Sequence, residues 1–351
     1  MTVPVTMLSS IDTVLRDTAV FSVLTDLPGT GVLRQDLDPA AGTLRRVISD
    51  VTGIAQDETI LLEHTCLGCA VRADLLPALR DMAASGRWER IVVALPVSAE
   101  SAAASHALCD PRDAAELGVA LASVVTVLDT DTAAHDVMGE DLLADRALAL
   151  SVDDRRSVGE ALAAQISHTD LVLTVGADEV GTTLADHLRG VRSHRFPLFG
   201  LDPAEWFTPR HVAAHARARL DPRTVAPPAA ANAHGVWSLD LSSRRPLHPE
   251  RFVARLGALS GGRVRSRGRF RLATRPDTVG VWNGAGGQLS IGDAGGWQGF
   301  TPSTRLVFTG LDEHRARITR AFAESLLTDA ELASADWPGR ADGLDDWLGA
   351  R

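Results

Sequence analysis

The sequence predicts a doubly wound α/β domain with a mostly parallel sheet, followed by a smaller α+β domain. Three observations predict it. Short, unalternating Val/Leu/Ile runs alternate with helical patterns through the first two thirds of the chain, as expected of strands buried on both faces of a parallel sheet. The stretch DPRTVAPPAAANAH, Asp221 to His234, is proline- and alanine-rich without periodicity and reads as a linker. Beyond it, strand patterns spaced by the glycine pairs Gly286-Gly287 and Gly295-Gly296 replace the strand–helix alternation. The expected units are 1–220, a linker over 221–234, and 235–351.

In the first unit the spacing predicts strands over Pro4–Leu8, Ala19–Leu24, Thr59–Leu62, Arg90–Leu95, Ser123–Leu128, Leu171–Val175 and Arg195–Phe199. Helices are expected over Gly42–Ser49, Val71–Ala84, Asp113–Ala122, Arg155–Ser167, Glu179–Arg189 and Thr208–Leu220. Pro77 inside the second of these predicts a kink or a late start. In the second unit, Gly235–Leu241, Gly268–Thr274, Thr278–Asn283, Gln288–Asp293 and Arg305–Thr309 read as strands. Pro249–Leu259 and Asp312–Leu327 read as helices.

Composition narrows the chemistry. The chain has 351 residues, 45% apolar and 23% charged, which is the balance of a globular protein. No apolar run reaches the roughly 18 residues of a membrane span. The first residues, MTVPVTMLSSIDTVL, lack a basic n-region, so no signal peptide is expected. Three cysteines in a chain this long point to a reducing, cytoplasmic setting. All 35 basic residues are arginine. No lysine is therefore present to act as a phosphate-binding ammonium, Schiff base or amine base. The net charge of −10 argues against DNA binding, but Arg244–Arg275 holds ten arginines and one acid, Glu250. Within it, Arg263, Arg265, Arg267, Arg269 and Arg271 alternate, so an extended strand would align them on one face. Such a face suits RNA phosphates or an acidic partner, or else a solvated sheet surface with salt bridges.

The motif with the most chemistry is EHTCLGCAVRADLL, Glu63 to Leu76. Cys66 and Cys69 can turn toward one soft cation, half of a zinc site. Two buried core residues or a redox pair are the alternatives. His64 shares a side with Cys66 if the segment is extended, making it a candidate third ligand. Cys109 and His106, expected at the same carboxyl edge of the sheet, are further candidates for the shell. The first strand leads into SSIDTVLRDTA, with no glycine before Gly29. A phosphate loop needs a glycine-rich turn ending in Gly-Lys-Ser/Thr at this junction. The PGTG of Pro28–Gly31 reads as a turn.

EHTCLGCAVRADLLPALRDMA, GRWERIVVALPVSAES, SVVTVLDT and QISHTDLVLTVGADEV, with SLDLSSRRPLHPERF, RSRGRFRLATRPD and RLVFTGLDEHR beyond the linker, resemble the CobW-type metallochaperone GTPases. The resemblance runs over nearly the whole chain in the right order. It implies a P-loop-GTPase-like first domain, a CobW-C-like second domain, and zinc as the metal. The family's Cys-x-Cys-Cys aligns with Cys66, Leu67, Gly68 and Cys69, so its middle thiol is lost. Its Arg-x-Asp aligns with Arg72 and Asp74, read as structural residues that help cap the following helix.

The departures concern the nucleotide. The phosphate loop is missing, the Walker-B-like acid falls at Ala94, and the guanine-reading Asn-Lys-x-Asp falls at Val175, Gly176, Ala177 and Asp178, leaving only Asp178. No nucleotide and no GTPase activity are expected, since phosphoryl transfer rests on these groups. The pattern is similar to an actinobacterial branch of the family associated with zinc starvation. That resemblance implies a zinc-responsive adaptor whose partner is the ribosome or a ribosome hibernation factor, with ribosomal RNA contact through Arg244–Arg275. A divergent GTP-dependent zinc chaperone and a Cys66–Cys69 redox switch are the alternatives.

Overall fold

A computed structural model describes residues 2–62, 71–110, 116–311, 313–333 and 336–350; the side chains of 71 and 72 lie outside that description. The chain divides into two units, Met1–Asp136 with Asp141–Leu220, and Val137–Glu140 with Asp221–Arg351.

The first unit is built on an eight-stranded sheet in the order β4-β3-β2-β5-β1-β6-β7-β8. Its strands are β1 (Val3–Ser9), β2 (Thr30–Asp38), β3 (Thr43–Asp50), β4 (Gly53–Leu61), β5 (Arg90–Ala94), β6 (Val119–Asp129), β7 (Leu171–Val175) and β8 (His194–Pro197). From β2 across to β8 every neighbouring pair is parallel, while β2–β3 and β3–β4 are antiparallel. The helices are α1 (Thr13–Asp26), α2 (Leu76–Ala84), α3 (Ala102–Leu108), α4 (Thr130–Met138), α5 (Val158–His168), α6 (Glu179–Leu188) and α7 (Ala213–Leu220).

Three sequence expectations are corrected. Ala19–Leu24, expected as a strand, lies inside α1. Leu15, Ala19 and Val23 recur at helical spacing and bury one face on the sheet, and the Asp12 cap starts the helix one turn earlier. Gly42–Ser49, expected as a helix, is strand β3, pairing with β2 and β4. Leu44, Val47 and Ile48 are buried on its two faces while Arg45 is exposed, so pairing rather than periodicity decides the segment. The helix expected over Asp113–Ala122 cannot hold, because β6 begins at Val119; residues 111–115 lie outside the described set. Pro77 sits in the first turn of α2, which follows one π-turn over Val71–Leu75, so the late start is the outcome.

The second unit carries a five-stranded antiparallel sheet, order β12-β11-β10-β13-β9, from β9 (Trp237–Ser243), β10 (Val264–Phe270), β11 (Thr278–Ala285), β12 (Gln288–Gly296) and β13 (Thr304–Gly310). Helices α8 (Pro249–Ser260) and α9 (Arg315–Ser325) pack on each other, and their buried faces join the sheet in one core. Phe252, Phe270, Trp282 and Phe308 fill that core, and the buried Trp282 indole donates to Ser266 Oγ at 2.8 Å. Short helices α10 (Asp329–Leu332) and α11 (Asp345–Leu348) follow. Arg275, 6% exposed, ties this last stretch to the sheet. It donates from Nε to Asp342 at 2.9 Å and from Nη1 to the Gly349 carbonyl at 2.8 Å, while Leu344 and Leu348 enter the core.

Among the described residues no helix is long and apolar enough to cross a membrane.

Candidate functional site

Cys66, Cys69 and His64 lie outside the described residues, and only the segments on either side of them are described. Strand β4 runs parallel in direction to β2 and ends at Leu61, at the carboxyl edge of the sheet. There the Leu62 N–H donates to the Gly42 carbonyl at 2.9 Å. On the other flank, Asp74 is buried and accepts from Gln35 Nε2 at 2.6 Å and from Arg46. The expected capping role of Asp74 is therefore corrected: its carboxylate binds side chains of β2 and β3, and fixes the backbone that leaves the cysteine stretch.

The same carboxyl edge holds the β1–α1 junction. Only Ser10, Ile11 and Asp12 connect the two elements. Several of their polar groups are engaged. Ser10 Oγ donates to the Val127 carbonyl at 3.2 Å and accepts from the Asp12 N–H at 3.0 Å. The Ser10 carbonyl accepts from Ser98 N–H at 2.9 Å and Gln165 Nε2 at 3.2 Å. Asp12 Oδ1 accepts the Leu15 N–H at 2.8 Å, capping α1. A helix N-terminus favours an anion, and here a carboxylate already sits on it. Arg16, in the first turn, is 1% exposed and points elsewhere. It pairs with Asp36 at 2.7 Å and donates to the Leu95 carbonyl at 3.1 Å, so it does not stand in for a phosphate-binding lysine.

The loop after β7 is closed in the same way. Asp131 Oδ1 accepts the N–H groups of Ala177 and Asp178 at 2.8 and 2.9 Å. Asp178, the remnant of the expected guanine-reading motif, accepts the Gly181 N–H at 2.8 Å and caps α6. Gly176 is required here: its φ is +84°, and a Cβ would lie 2.5 Å from Asp129 Oδ1. Ala94 is fully buried at the end of β5.

Beside the β1–α1 junction lies a cavity of about 130 Å³, lined by Ser10, Asp12, Leu128, Asp129, Asp136 and Arg146 among others. Arg146 pairs with Asp136 at 2.5 Å and with Asp141 at 2.7 Å. Three carboxylates against one paired arginine repel a polyphosphate. The volume is also below the roughly 300 Å³ where small-molecule sites begin.

The arginine row is corrected in part. Strand β10 sets Arg265, Arg267 and Arg269 on one face, but that face is turned against its own unit. Arg265 is 7% exposed and donates to the carbonyls of Ser266 and Gly284, both at 2.9 Å. Arg269 donates to the Arg223 carbonyl at 2.6 Å and lies over the Phe300 ring. Burial lowers the Arg267 guanidinium to about 10, against the pull of Asp221. The turn Pro222–Thr224 packs over the strand, so these arginines are committed internally; Arg263 and Arg271 flank them outside the strand.

Cys109 and His106 are also corrected. They sit at the end of α3, which turns back to the amino edge of the sheet, and not at the carboxyl edge. Among the described residues no group of three His, Cys, Asp or Glu side chains is arranged to hold a metal. What Cys109 does meet is a buried network that the sequence did not reveal. His211 Nδ1 is 2.8 Å from Asp170 Oδ2, and His211 Nε2 is 3.0 Å from Ser105 Oγ. Asp170 also accepts from Arg219 Nη2 at 3.0 Å and the Val124 N–H at 3.0 Å. Burial works against a charge on His211, yet Asp170 and Cys109 outweigh it and raise it to about 9. Burial, with the His211 and Arg219 charges beside it, lowers His168 to about 4; its Nδ1 meets Ser101 Oγ at 2.7 Å.

Comparison with known proteins bears on both units. Residues 236–326 match the cobalamin synthesis protein cobW C-terminal domain. A zinc chaperone of Mycobacterium tuberculosis is 29% identical over 335 residues, 84% of this chain and 81% of that protein. The zinc-regulated GTPase metalloprotein activator 1 of Dictyostelium discoideum is 22% identical over 261 residues, 69% of this chain and 55% of that protein. The Zn(II)-bound YjiA GTPase from E. coli aligns over 93% of this chain and 100% of that one, at 14% identity and a TM-score of 0.34. The chain is thus similar in sequence to the Mycobacterium tuberculosis and Dictyostelium discoideum proteins, both named for zinc, and it carries a large, mostly parallel α/β sheet and a smaller antiparallel-sheet cobW C-terminal domain.

Proposed function

We propose that this chain is a zinc-responsive adaptor of the cobW type, in which Cys66 and Cys69 hold zinc and the nucleotide step has been given up. The homologues named for zinc support the metal. Two thiolates, with His64 as a third donor, suit zinc, and a fourth position remains for water or a partner's ligand. The observation that carries the loss of the nucleotide step is the Asp12 carboxylate capping α1 where a phosphate would need the helix amides. Metal occupancy then signals instead of being driven by GTP. The partner in this reading is the ribosome or a ribosome hibernation factor, engaged by the zinc-free form.

The second reading, a GTP-dependent zinc chaperone, is favoured by the GTPase named among the homologues and opposed by Asp12, Asp131 and Asp178. Equilibrium dialysis with zinc followed by calorimetry with GTP and magnesium separates the two. The expected result is about one zinc per chain, reduced at least a hundredfold in affinity by Cys66→Ser with Cys69→Ser, because half the donor set is gone. No heat is expected from GTP at millimolar concentration. Tight, magnesium-dependent GTP binding would restore the chaperone reading. Zinc binding that survives loss of both thiols would remove the metal site. Capture from zinc-replete and zinc-starved cells then tests the partner, which should accompany the wild type only without zinc.

A further inference from the structure

In the smaller unit, arginines of the stretch Arg244–Arg275 are held by the acids of the chain's own tail. From Asp329 to Asp346 that tail has six acids and one arginine, Arg340. Asp329 pairs with Arg245, Glu331 with Arg251 at 2.7 Å, and Asp342 with Arg275 at 2.9 Å; Asp345 also pairs with Arg275. Leu344 and Leu348, one helical turn apart, enter the core while α11 packs on β12. Three features set this tail apart from the framework it covers. The match to the cobW C-terminal domain ends at residue 326, before the tail begins. Among the described residues the tail joins no strand of the sheet. Its helices α10 and α11 are four residues each, too short to persist without the surface they dock on. Gly339 and Gly343, at φ of +81° and +70°, supply the left-handed turns that lead into α11.

We propose that residues 329–350 are the built-in occupant of a docking surface, and lift away to admit a partner segment of the same chemistry. That partner segment is a short helix with two leucines one turn apart, flanked by acidic residues. The mode is a helix seated in a groove, with apolar anchors for affinity and arginines for orientation and register. RNA phosphates would satisfy the arginines and leave the two leucine positions empty, so the surface is one for protein. The tether holds the tail at an effective concentration on the order of millimolar, which keeps the surface closed against weak competitors. The inference concerns the smaller unit by itself, and stands whether or not Cys66 and Cys69 hold zinc.

Hydrogen exchange of the full chain, read by mass spectrometry, compares residues 341–350 with β10 and β13. The tail should be protected, yet exchange roughly tenfold or more faster than those strands, because it opens without unfolding them. One common rate would make the tail part of the cooperative core and overturn the proposal, as would a tail with no protection. A fluorescein-labelled peptide of residues 336–351 is then titrated into the full chain. It should bind the variant Leu344→Ser with Leu348→Ser roughly tenfold or more tightly than the wild type, whose own tail competes. A peptide carrying the same two substitutions should not bind, and a short oligouridylate should not displace the original one. Failure of the peptide to bind the variant, or its displacement by the RNA, overturns the proposal. So does loss of protection in the variant's β10 and β13, since the leucines would then hold the core itself and not a releasable tail.

Discussion

Arg275→Ala is expected to destabilise the smaller unit by about 3–5 kcal/mol, the cost of leaving a buried charge without its partner. Arg275 and Asp342 have side chains 4% and 0% exposed, joined at 2.9 Å. Asp342 also accepts from Thr274 Oγ1 at 2.8 Å and the Leu344 N–H at 3.1 Å. Removing the guanidinium strands that carboxylate and releases the carbonyls of Leu348 and Gly349. In a urea titration followed by tryptophan fluorescence, the transition of this unit should move while that of the larger unit stays. Replacing both partners, Arg275→Met with Asp342→Leu, should cost far less, since no charge is then buried alone. The pH dependence follows from burial, outweighed by the Arg275 and Thr274 bonds, which hold Asp342 at about 2 instead of 3.8. A lowered carboxylate stabilises the fold above its unfolded value. This contribution is therefore complete above about pH 4 and lost as pH falls to about 2.

Asp170→Ala is expected to cost the larger unit a similar 3–5 kcal/mol, because His211 and Arg219 would share a buried site without a countercharge. The two histidines here titrate in opposite directions. His211 is raised from 6.5 to about 9, so its stabilisation is full below pH 6.5 and is lost as pH rises to 9, about 3 kcal/mol in all. His168 is lowered from 6.5 to about 4, so its contribution is full above pH 6.5 and about 2 kcal/mol is lost by pH 5. Urea midpoints for this unit should therefore peak near pH 6.5. His211→Asn should flatten the alkaline limb and make the acid limb shallower, because the imidazolium that helps burial lower His168 is gone; an alkaline limb that survives the substitution would show that His211 is not its source.

The legible parts of the fold were those where local pattern and tertiary role agree. The runs at β1, β5, β6 and β7 are apolar because both sheet faces are covered, and the second unit's strands alternate because one face is. Ala19–Leu24 misled because six mostly apolar residues fit either a buried strand or a helix face. The deciding signal was Asp12, three residues before Leu15. Strand β2 was not anticipated, since VLRQDLD carries polar residues that only its neighbours explain: Gln35 binds Asp74, and Asp36 binds Arg16. The cysteine pair is a reading of spacing alone, and it lies outside the described residues. The His211 network was not, because Ser105, Asp170 and His211 are 106 and 41 residues from pairing partners that only the fold brings together. The alternation of the arginines was visible too. Their burial was not, because the turn that covers them belongs to the stretch read as linker.

The three-residue link between β1 and α1 has a consequence for descent. A glycine-rich phosphate loop occupies about eight positions between strand and helix, five more than Ser10–Asp12 provide. Substitution at Asp12 would free the helix amides but leave the connection too short to wrap an anion. On the proposed reading, a nucleotide site here would need an insertion in this short connection, against Ser10's bonds to Val127, Ser98 and Gln165. Point mutation alone does not supply the missing positions.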